Sequence, residues 1–273
     1  MGVFMDIKAV MCDVDGTLIS DDRKVLSSTI EIAKKLREKD IIFGLATGRD
    51  LHGIEGKIKE WEIEDIVDMV VASGGAEIYD KKLGIEQENH KLTPEAMRKI
   101  INHYEGLDLN FAIPDKGKIY TPKEDDYVKF LAEKDGLDYE VVDFDDYLIE
   151  PKLKLILVCD PIYMEDIMER SRSFDEKAYD SMSMRTQDFL YEYMDYRTTK
   201  ANGLEEALKL HGLKLDNLLA FGDDDNDKDM IERAGIGVAM GNASDLAKSV
   251  ADYITASNNE DGIAKFIEEH ILK

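Results

Sequence analysis

The stretch that decides the fold is Ile7-Lys-Ala-Val-Met-Cys-Asp-Val-Asp-Gly-Thr-Leu18, near the start of a chain of 273 residues. Its apolar character is almost continuous up to Val14, which is typical of a strand covered on both faces of a parallel sheet. Binding and catalytic groups of such sheets lie at the carboxyl ends of strands, and Asp13 and Asp15 stand at that end here. A period of two places both carboxylates on one side of the chain. Because they repel each other, they favour a nearby cation or a shared proton.

The segments that follow alternate between apolar runs and helical patterns. Further buried strands are predicted at 41–46 and 66–72, with a helix before each of them. Ser28 and Glu31 form a capping-box pattern that would begin the first helix. The alternation of strand and helix implies right-handed crossovers and a parallel sheet.

The pattern changes in the middle of the chain. Residues 82–185 are richer in Tyr and acidic loops, with one clear strand predicted at 153–159. The strand–helix alternation then returns, with a strand at 218–221. We therefore predict an α/β fold in which residues 1–81 and 186–273 form a doubly wound, Rossmann-like parallel-sheet core. Residues 82–185 would be a smaller inserted α/β domain.

Composition excludes several classes of function. The chain has 35 Lys and Arg against 59 Asp and Glu, a net charge of −24, and 44% hydrophobic residues. Affinity for nucleic acids comes mainly from Lys and Arg, so no nucleic-acid partner is expected. No apolar run is long enough to span a bilayer, and the start lacks the pattern of a secretory signal. Cys12 and Cys159 are expected to be buried free thiols, which fits a cytoplasmic location.

Three more polar clusters accompany Asp13 and Asp15. They are Thr47-Gly48-Arg49 after the second strand, Lys200 at the start of a helix, and Gly222-Asp223-Asp224-Asp225-Asn226-Asp227 after the strand at 218–221. A hydroxyl and backbone N–H groups at a strand-to-helix turn suit a phosphate oxygen. A cation at a helix N-terminus opposes the helix dipole, so Lys200 needs an anion nearby. Four carboxylates in five positions exceed what helix capping needs and favour a hard cation such as Mg²⁺ or Ca²⁺.

Taken together, these clusters resemble the four motifs of the haloacid dehalogenase (HAD) superfamily. Their order and spacing, with Gly235-Ile-Gly-Val-Ala-Met-Gly-Asn242 and Glu260-Asp261-Gly262, resemble its Cof-type (subfamily IIB) phosphatases. That family carries an inserted α/β cap of the C2B type, which the segment 82–185 matches in position and length only. One departure is Gly74 where the family usually has Asn, which removes an amide that could contact substrate.

The resemblance implies a Mg²⁺-dependent phosphatase that acts on small phosphorylated metabolites such as sugar phosphates, as a monomer or homodimer. Asp13 would be the nucleophile that becomes phosphorylated, and Asp15 the general acid and base. The phosphate would be bound by Thr47, Gly48, Lys200 and Asn226. The metal would be held by Asp13, the backbone carbonyl of Asp15, Asp223 and Asp227. The inserted domain would cover the site and choose the leaving group, with Lys154, Tyr120 and Tyr127 as candidate contacts, although packing within the domain explains these three residues more simply.

Three other interpretations stay open at this stage. A phosphomutase would use the same intermediate but pass the phosphoryl group to another hydroxyl. A signalling receiver module also clusters Asp, Thr and Lys, but it is a single domain without a central insertion. A catalytically silent metal-binding protein would be expected to lack Asp15 or Lys200, and this chain keeps both.

Overall fold

The computed structural model describes residues 6–272, which form two compact units. The first unit runs up to Gln87 and resumes at Thr199, and the second is Glu88–Thr198. The strands are β1 (Ala9–Cys12), β2 (Ile42–Ala46), β3 (Met69–Ala72), β4 (Glu77–Asp80), β5 (Ile85–Glu88), β6 (Asn110–Asp115), β7 (Lys118–Thr121), β8 (Asp138–Val141), β9 (Lys154–Val158), β10 (Ser181–Gln187), β11 (Leu190–Asp195), β12 (Leu218–Gly222), β13 (Ile236–Ala239) and β14 (Tyr253–Ile254). The helices are α1 (Ser27–Glu38), α2 (Leu51–Glu60), α3 (Pro94–His103), α4 (Asp126–Asp135), α5 (Phe144–Tyr147), α6 (Met164–Ser171), α7 (Lys200–Lys209), α8 (Lys228–Arg233), α9 (Asp245–Val250) and α10 (Gly262–His270).

The first unit is built on a sheet in the order β14-β13-β12-β1-β2-β3-β4-β5. Neighbours from β14 to β3 are parallel, and β4 is antiparallel to β3. The predicted α/β class with a parallel sheet is thus confirmed. Strand β1 lies between β12 and β2, and Cys12 is in register with both Phe221 and Leu45. The carboxyl ends of these three strands therefore meet at one edge of the sheet.

The continuous apolar run of β1 is explained by two apolar layers, one on each face of the sheet. Val10 and Cys12 belong to the layer that includes residues of α1, α2 and α10. Ala9 and Met11 belong to the layer that includes residues of α7 and α8. All four side chains are completely buried, which at ~25 cal/mol per Å² of apolar surface makes this strand a main contributor to stability.

The second unit has its own sheet, in the order β10-β11-β9-β6-β7-β8. Strand β9 matches the strand predicted at 153–159. The boundary predicted at 185/186 differs from the division in the structure, because β10 and β11 form a hairpin that pairs with β9 and belongs to this sheet. The boundary predicted at 81/82 also falls short, since β4 and β5 join the sheet of the first unit.

The capping box predicted at Ser28 and Glu31 is wrong. Helix α1 begins two residues earlier than this capping box would place it, its N-cap is Leu26, and no side chain caps it. The Ser28 hydroxyl instead donates a hydrogen bond to the carboxylate of Asp261, just before α10. The Ser28 hydroxyl therefore forms a contact with a distant segment and does not cap its own helix.

Two smaller expectations can be compared with the structure. Cys12 and Cys159 are both buried free thiols, as predicted. Among the helices of residues 6–272, none combines the length and apolar character needed to cross a bilayer.

A substitution at Gly75 tests the packing of α7 against the loop after β3. Gly75 has φ +117°, and an added Cβ would lie 2.1 Å from the carbonyl oxygen of Thr199. We expect Gly75→Ala to lower the free energy of unfolding by about 3 kcal/mol or more, since strain and overpacking add. The control Gly84→Ala changes a residue with φ +64° and open surroundings, and should cost only about 1–2 kcal/mol. Equal costs in urea unfolding would contradict this packing.

Candidate active site

Asp13 is held at the end of β1 by the backbone. Its N–H donates to the carbonyl of Phe221 at 2.9 Å, which continues the pairing of β1 with β12. The chain then turns through Gly16, whose φ is +88°. A Cβ at Gly16 would lie 2.3 Å from a carboxylate oxygen of Asp223, so only glycine fits beside that side chain. The turn brings the first acidic cluster against the second.

Asp227 is the most deeply placed acid of the second cluster, with no exposed surface. Its Oδ2 accepts hydrogen bonds from the backbone N–H groups of Asp223 and Asp224, at 2.9 and 3.1 Å. Two of the acidic residues therefore use their backbone to hold a third. Asp223 is fixed separately, because the hydroxyl of Thr17 donates to its Oδ1 at 2.6 Å.

Lys200 joins the two acidic clusters. It is the first residue of α7, with Thr199 as the N-cap, and only 3% of its surface is exposed. Its Nζ donates to Oδ1 of Asp13 at 2.5 Å and to Oδ1 of Asp227 at 2.6 Å. The sequence requires an anion near this ammonium because it opposes the helix dipole. The structure supplies two.

The site nevertheless carries more negative than positive charge. Burial, then the charge of Asp227, raises the pKa of Asp13 well above its usual value, although Lys200 acts in the opposite direction. Burial is also the main cause that raises the pKa of Asp223 to about 6, and the Thr17 hydrogen bond partly opposes it. Burial alone would lower the pKa of Lys200, but Asp13 and Asp227 outweigh it and raise that pKa above its usual value. The ammonium is therefore firmly charged, and the carboxylates around it are not fully balanced.

The donor set fits a hard divalent cation. Asp13, Asp223 and Asp227 each offer one carboxylate oxygen, and these three oxygens lie within 4.8 Å of one another. Oxygen-only ligands of this kind suit Mg²⁺ or Ca²⁺ rather than softer metals. A bound cation would also offset the burial and repulsion that raise the pKa values of Asp13 and Asp223.

The side chain of Asp15 has a different partner. Arg49 donates from Nε and Nη2 to the two carboxylate oxygens of Asp15, at 2.9 Å each. Asp15 is half exposed, whereas the Arg49 side chain is mostly buried. The carboxylate of Asp15 thus pairs with Arg49, and it is not among the three acids whose oxygens lie within 4.8 Å of one another.

Three of the four predicted phosphate-binding residues, all but Lys200, lie in the segments that follow β2 and β12. Thr47 is buried, its N–H donates to the carbonyl of Val71 at 2.8 Å, and its Oγ1 accepts from the N–H of Arg49 at 3.2 Å. Gly48 is exposed, and a Cβ there would meet no atom within 4 Å. Asn226 is exposed in the 3-10 turn Asp225–Asp227. Since β2 and β12 flank β1, all three residues stand on the same edge of the sheet as Asp13.

Two asparagines that the sequence analysis gave no role fix the loop after β1. Asn242 donates from Nδ2 to the carbonyl of Gly16 at 2.8 Å. Asn258 donates to the carbonyl of Ile19 at 3.0 Å, and its own N–H donates to Oδ1 of Asn242 at 3.0 Å. Asn242 ends the motif at 235–242, so a signal was present, but its partner more than 200 residues away could not be read from the sequence.

The candidate contacts of the second unit all have partners inside that unit. Lys154 pairs with Glu192 (Nζ to Oε2, 3.1 Å), Tyr120 stacks on Tyr147 (ring centroids 4.5 Å apart) and Tyr127 stacks on Phe189 (5.7 Å). Packing within the unit is therefore sufficient to explain them.

An open, mainly parallel sheet with a lysine and three carboxylates at its carboxyl edge is an arrangement suited to phosphoryl transfer. The sequence model of the haloacid dehalogenase-like hydrolases matches residues 10–267, so the chain belongs to that family. Within it the protein is a phosphatase of the Cof type, as the motifs predict.

Several known proteins are similar to this chain over nearly their whole length. The 5-amino-6-(5-phospho-D-ribitylamino)uracil phosphatase YcsE of Bacillus subtilis (strain 168) is 26% identical, over 98% of this chain and 97% of its own. A haloacid dehalogenase-like hydrolase from Bacteroides thetaiotaomicron has a TM-score of 0.84 and 28% identity, over 96% of this chain and 99% of that one. The HAD subclass IIB sugar phosphatase BT4131 has a TM-score of 0.82 and 26% identity, over 96% and 98%.

Replacing Lys200 tests its place between the two carboxylates. Lys200→Met removes the ammonium and leaves Asp13 and Asp227 buried without their shared partner, which costs about 3–5 kcal/mol when a buried pair is broken. We expect a correspondingly lower unfolding midpoint in metal-free buffer. Lys209→Met, on the exposed face of the same helix, should change it little. Equal midpoints for the two variants would contradict the bridging role.

Proposed function

We propose that this phosphatase hydrolyses small phosphate monoesters, such as sugar phosphates or related metabolites, through a phosphoryl group carried on Asp13 with Mg²⁺ as cofactor. The observation that supports it best is the buried carboxylate of Asp13, 2.5 Å from the Lys200 ammonium and beside two further acids.

The nucleophile is a carboxylate oxygen of Asp13. Since the reference pKa of Asp is ~3.9, an ionised Asp needs no base to become a nucleophile. Its difficulty is the approach to an anionic phosphate, which at ~4 Å and an effective dielectric of ~20 costs ~4 kcal/mol for each pair of like charges. Lys200 offsets this repulsion, and its charge and hydrogen bond lower the pKa of Asp13, against the burial and the charge of Asp227 that raise it.

The residues that would hold Mg²⁺ are Asp13, Asp223 and Asp227, with the backbone carbonyl of Asp15. When bound, the ion supplies positive charge that counters the repulsion between the nucleophile and the phosphoryl oxygens. The backbone N–H groups of Asp223 and Asp224 orient Asp227 for this role. Thr17 does the same for Asp223.

Proton transfer falls to Asp15. In the first step an Asp13 oxygen bonds to phosphorus, the bond from phosphorus to the alcohol oxygen breaks, and Asp15 donates a proton to that oxygen. In the second step Asp15 accepts a proton from a water whose oxygen attacks phosphorus. The bond to Asp13 then breaks, inorganic phosphate is released, and both carboxyl groups return to their starting state.

The phosphoryl oxygens are bound by neutral and cationic donors around the nucleophile. Thr47 offers a hydroxyl, Gly48 a backbone N–H, Lys200 its ammonium and Asn226 a side-chain amide. Such preorganised donors do most of the work in phosphoryl transfer, because the reaction needs positioning and charge stabilisation more than new covalent chemistry.

The second unit would choose the leaving group, in line with the resemblance to enzymes that carry a C2B cap. Each residue to which we give a catalytic or phosphate-binding role lies in the first unit. The names of two relatives support a phosphorylated, sugar-like substrate class, since one is a 5-amino-6-(5-phospho-D-ribitylamino)uracil phosphatase and the other a sugar phosphatase.

A phosphate-release screen tests the proposal. Sugar phosphates, nucleotides and cofactor phosphates are assayed with Mg²⁺ and with EDTA, and we expect release from at least one sugar phosphate in Mg²⁺ alone. Asp13→Asn should lower that turnover by roughly 10⁴-fold or more, since it removes the nucleophile. Asp40→Asn, an exposed position in the first unit, is the control and should keep wild-type activity.

Several outcomes would contradict the proposal. Substantial activity of Asp13→Asn would exclude the covalent mechanism. Transfer of the phosphoryl group to a second sugar hydroxyl, in place of phosphate release, would indicate a phosphomutase. A stable phospho-Asp13 without turnover would indicate a receiver-like function.

A further inference from the structure

Arg49 holds the side chain of Asp15 in a single orientation. Its Nε and Nη2 each lie 2.9 Å from a different carboxylate oxygen, so the planar guanidinium faces the carboxylate with two parallel hydrogen bonds. This geometry defines direction as well as distance, which a lysine ammonium cannot do. The two residues are 34 positions apart and come from the ends of different strands.

The pair differs from an ordinary surface ion pair. The Asp15 side chain is 55% exposed, whereas that of Arg49 is only 16% exposed. An exposed carboxylate on a turn would otherwise change rotamer freely, and exposed ion pairs contribute little to stability. A mostly buried guanidinium that fixes a half-exposed carboxylate therefore indicates an orienting role more than a stabilising one.

The backbone of Arg49 is itself anchored on both sides. Its N–H donates to Oγ1 of Thr47 at 3.2 Å, and its carbonyl accepts from the N–H of Ser73 at 2.7 Å. The next helix begins at Leu51, whose N–H donates to the buried carboxylate of Glu77 at 3.0 Å. The guanidinium thus projects from a loop that is tied to β3 and β4.

We propose that Arg49 is a positioning residue, which orients the Asp15 carboxyl group for proton transfer to the leaving-group oxygen. This inference rests on the proposed function. With both oxygens engaged, one hydrogen bond must be released and the freed oxygen must take up a proton before Asp15 can act as the acid, while the other hydrogen bond keeps Asp15 aligned. Arg49 acts through Asp15 and not on the reacting atoms, so its loss should affect only the chemistry that needs Asp15.

The dependence on leaving group separates this role from others. An alkyl alcohol is a poor leaving group and needs a proton as it departs, whereas 4-nitrophenolate departs without one. The ratio kcat/KM covers the steps up to the first irreversible one, which includes departure of the alcohol. Loss of acid catalysis therefore lowers kcat/KM for an alkyl phosphate far more than for an aryl phosphate.

The experiment compares kcat/KM for glucose 6-phosphate, or the best alkyl phosphate of the release screen, with that for 4-nitrophenyl phosphate. We expect Arg49→Gln to lose roughly 10²-fold on the alkyl substrate and less than about 3-fold on the aryl one. Arg49→Lys keeps the charge but not the two parallel hydrogen bonds. It should also lower kcat/KM more for the alkyl than for the aryl substrate, but by a smaller factor than Arg49→Gln. The control Arg233→Gln removes an ion pair with Glu205 and should leave kcat/KM unchanged for both substrates.

A double-mutant cycle tests whether Arg49 acts through Asp15. In a protein that already carries Asp15→Asn, adding Arg49→Gln should lower kcat/KM for the alkyl substrate by less than about 3-fold, because the effects of coupled residues are not additive. Equal losses on both substrates, or an additive loss in the cycle, would overturn the proposal and indicate direct binding of phosphate. No loss on either substrate would overturn it as well.

A folding check and the results for wild type and Asp13→Asn distinguish failure of this inference from other causes. Thermal unfolding checks that Arg49→Gln is folded, and if it is not, Arg49→Lys and its cycle with Asp15→Asn carry the test. Failure of the proposed function is visible separately, because wild type would then release no phosphate or Asp13→Asn would remain active.

Discussion

The site depends on one buried ammonium group, that of Lys200, which lies between the carboxylates of Asp13 and Asp227. Removing an ion of this kind from water costs several kcal/mol, and only close partners with good geometry offset that cost. The partners here are 187 and 27 positions away in sequence. Strands β1 and β12 must therefore be paired in register, and α7 must begin at one defined place, before the interaction can form. This requirement links the fold to the site, because a hydrogen bond of 2.5 Å tolerates little displacement of either partner.

One cation among three acids leaves an imbalance that has a functional meaning. The raised pKa values of Asp13 and Asp223 show that the folded chain holds these carboxylates in surroundings that disfavour their charge. Such an arrangement reduces stability, and proteins keep it where activity needs it. A divalent cation would relieve the repulsion, and an incoming phosphate would add negative charge that the ion and Lys200 together oppose. With Mg²⁺ bound, the positive charge of the ion and of Lys200, not the net charge of −24, would meet an incoming phosphate.

Much of this could be predicted from the sequence, and the failures have physical causes. The continuous apolar run from Ile7 predicted a doubly covered strand, and the position of the acids predicted the edge where the site lies. Lys200 at a helix start predicted nearby anions, because the helix dipole requires them. The capping box predicted at Ser28 was wrong because the Ser28 hydroxyl donates to the distant carboxylate of Asp261. The pairing of the β10–β11 hairpin with β9 and the Arg49–Asp15 pair could not be read from the sequence, since each depends on a partner that only the folded chain brings near.

The most direct test of the account is calorimetric titration of Mg²⁺ into the metal-free protein at neutral pH. The account predicts one ion bound per chain, with affinity weakened roughly tenfold or more by Asp223→Asn and unaffected by the exposed Asp40→Asn. Absence of binding to the wild-type protein, or equal affinity in wild type and Asp223→Asn, would contradict the claim that the carboxylates of Asp13, Asp223 and Asp227 form a cation site beside Lys200.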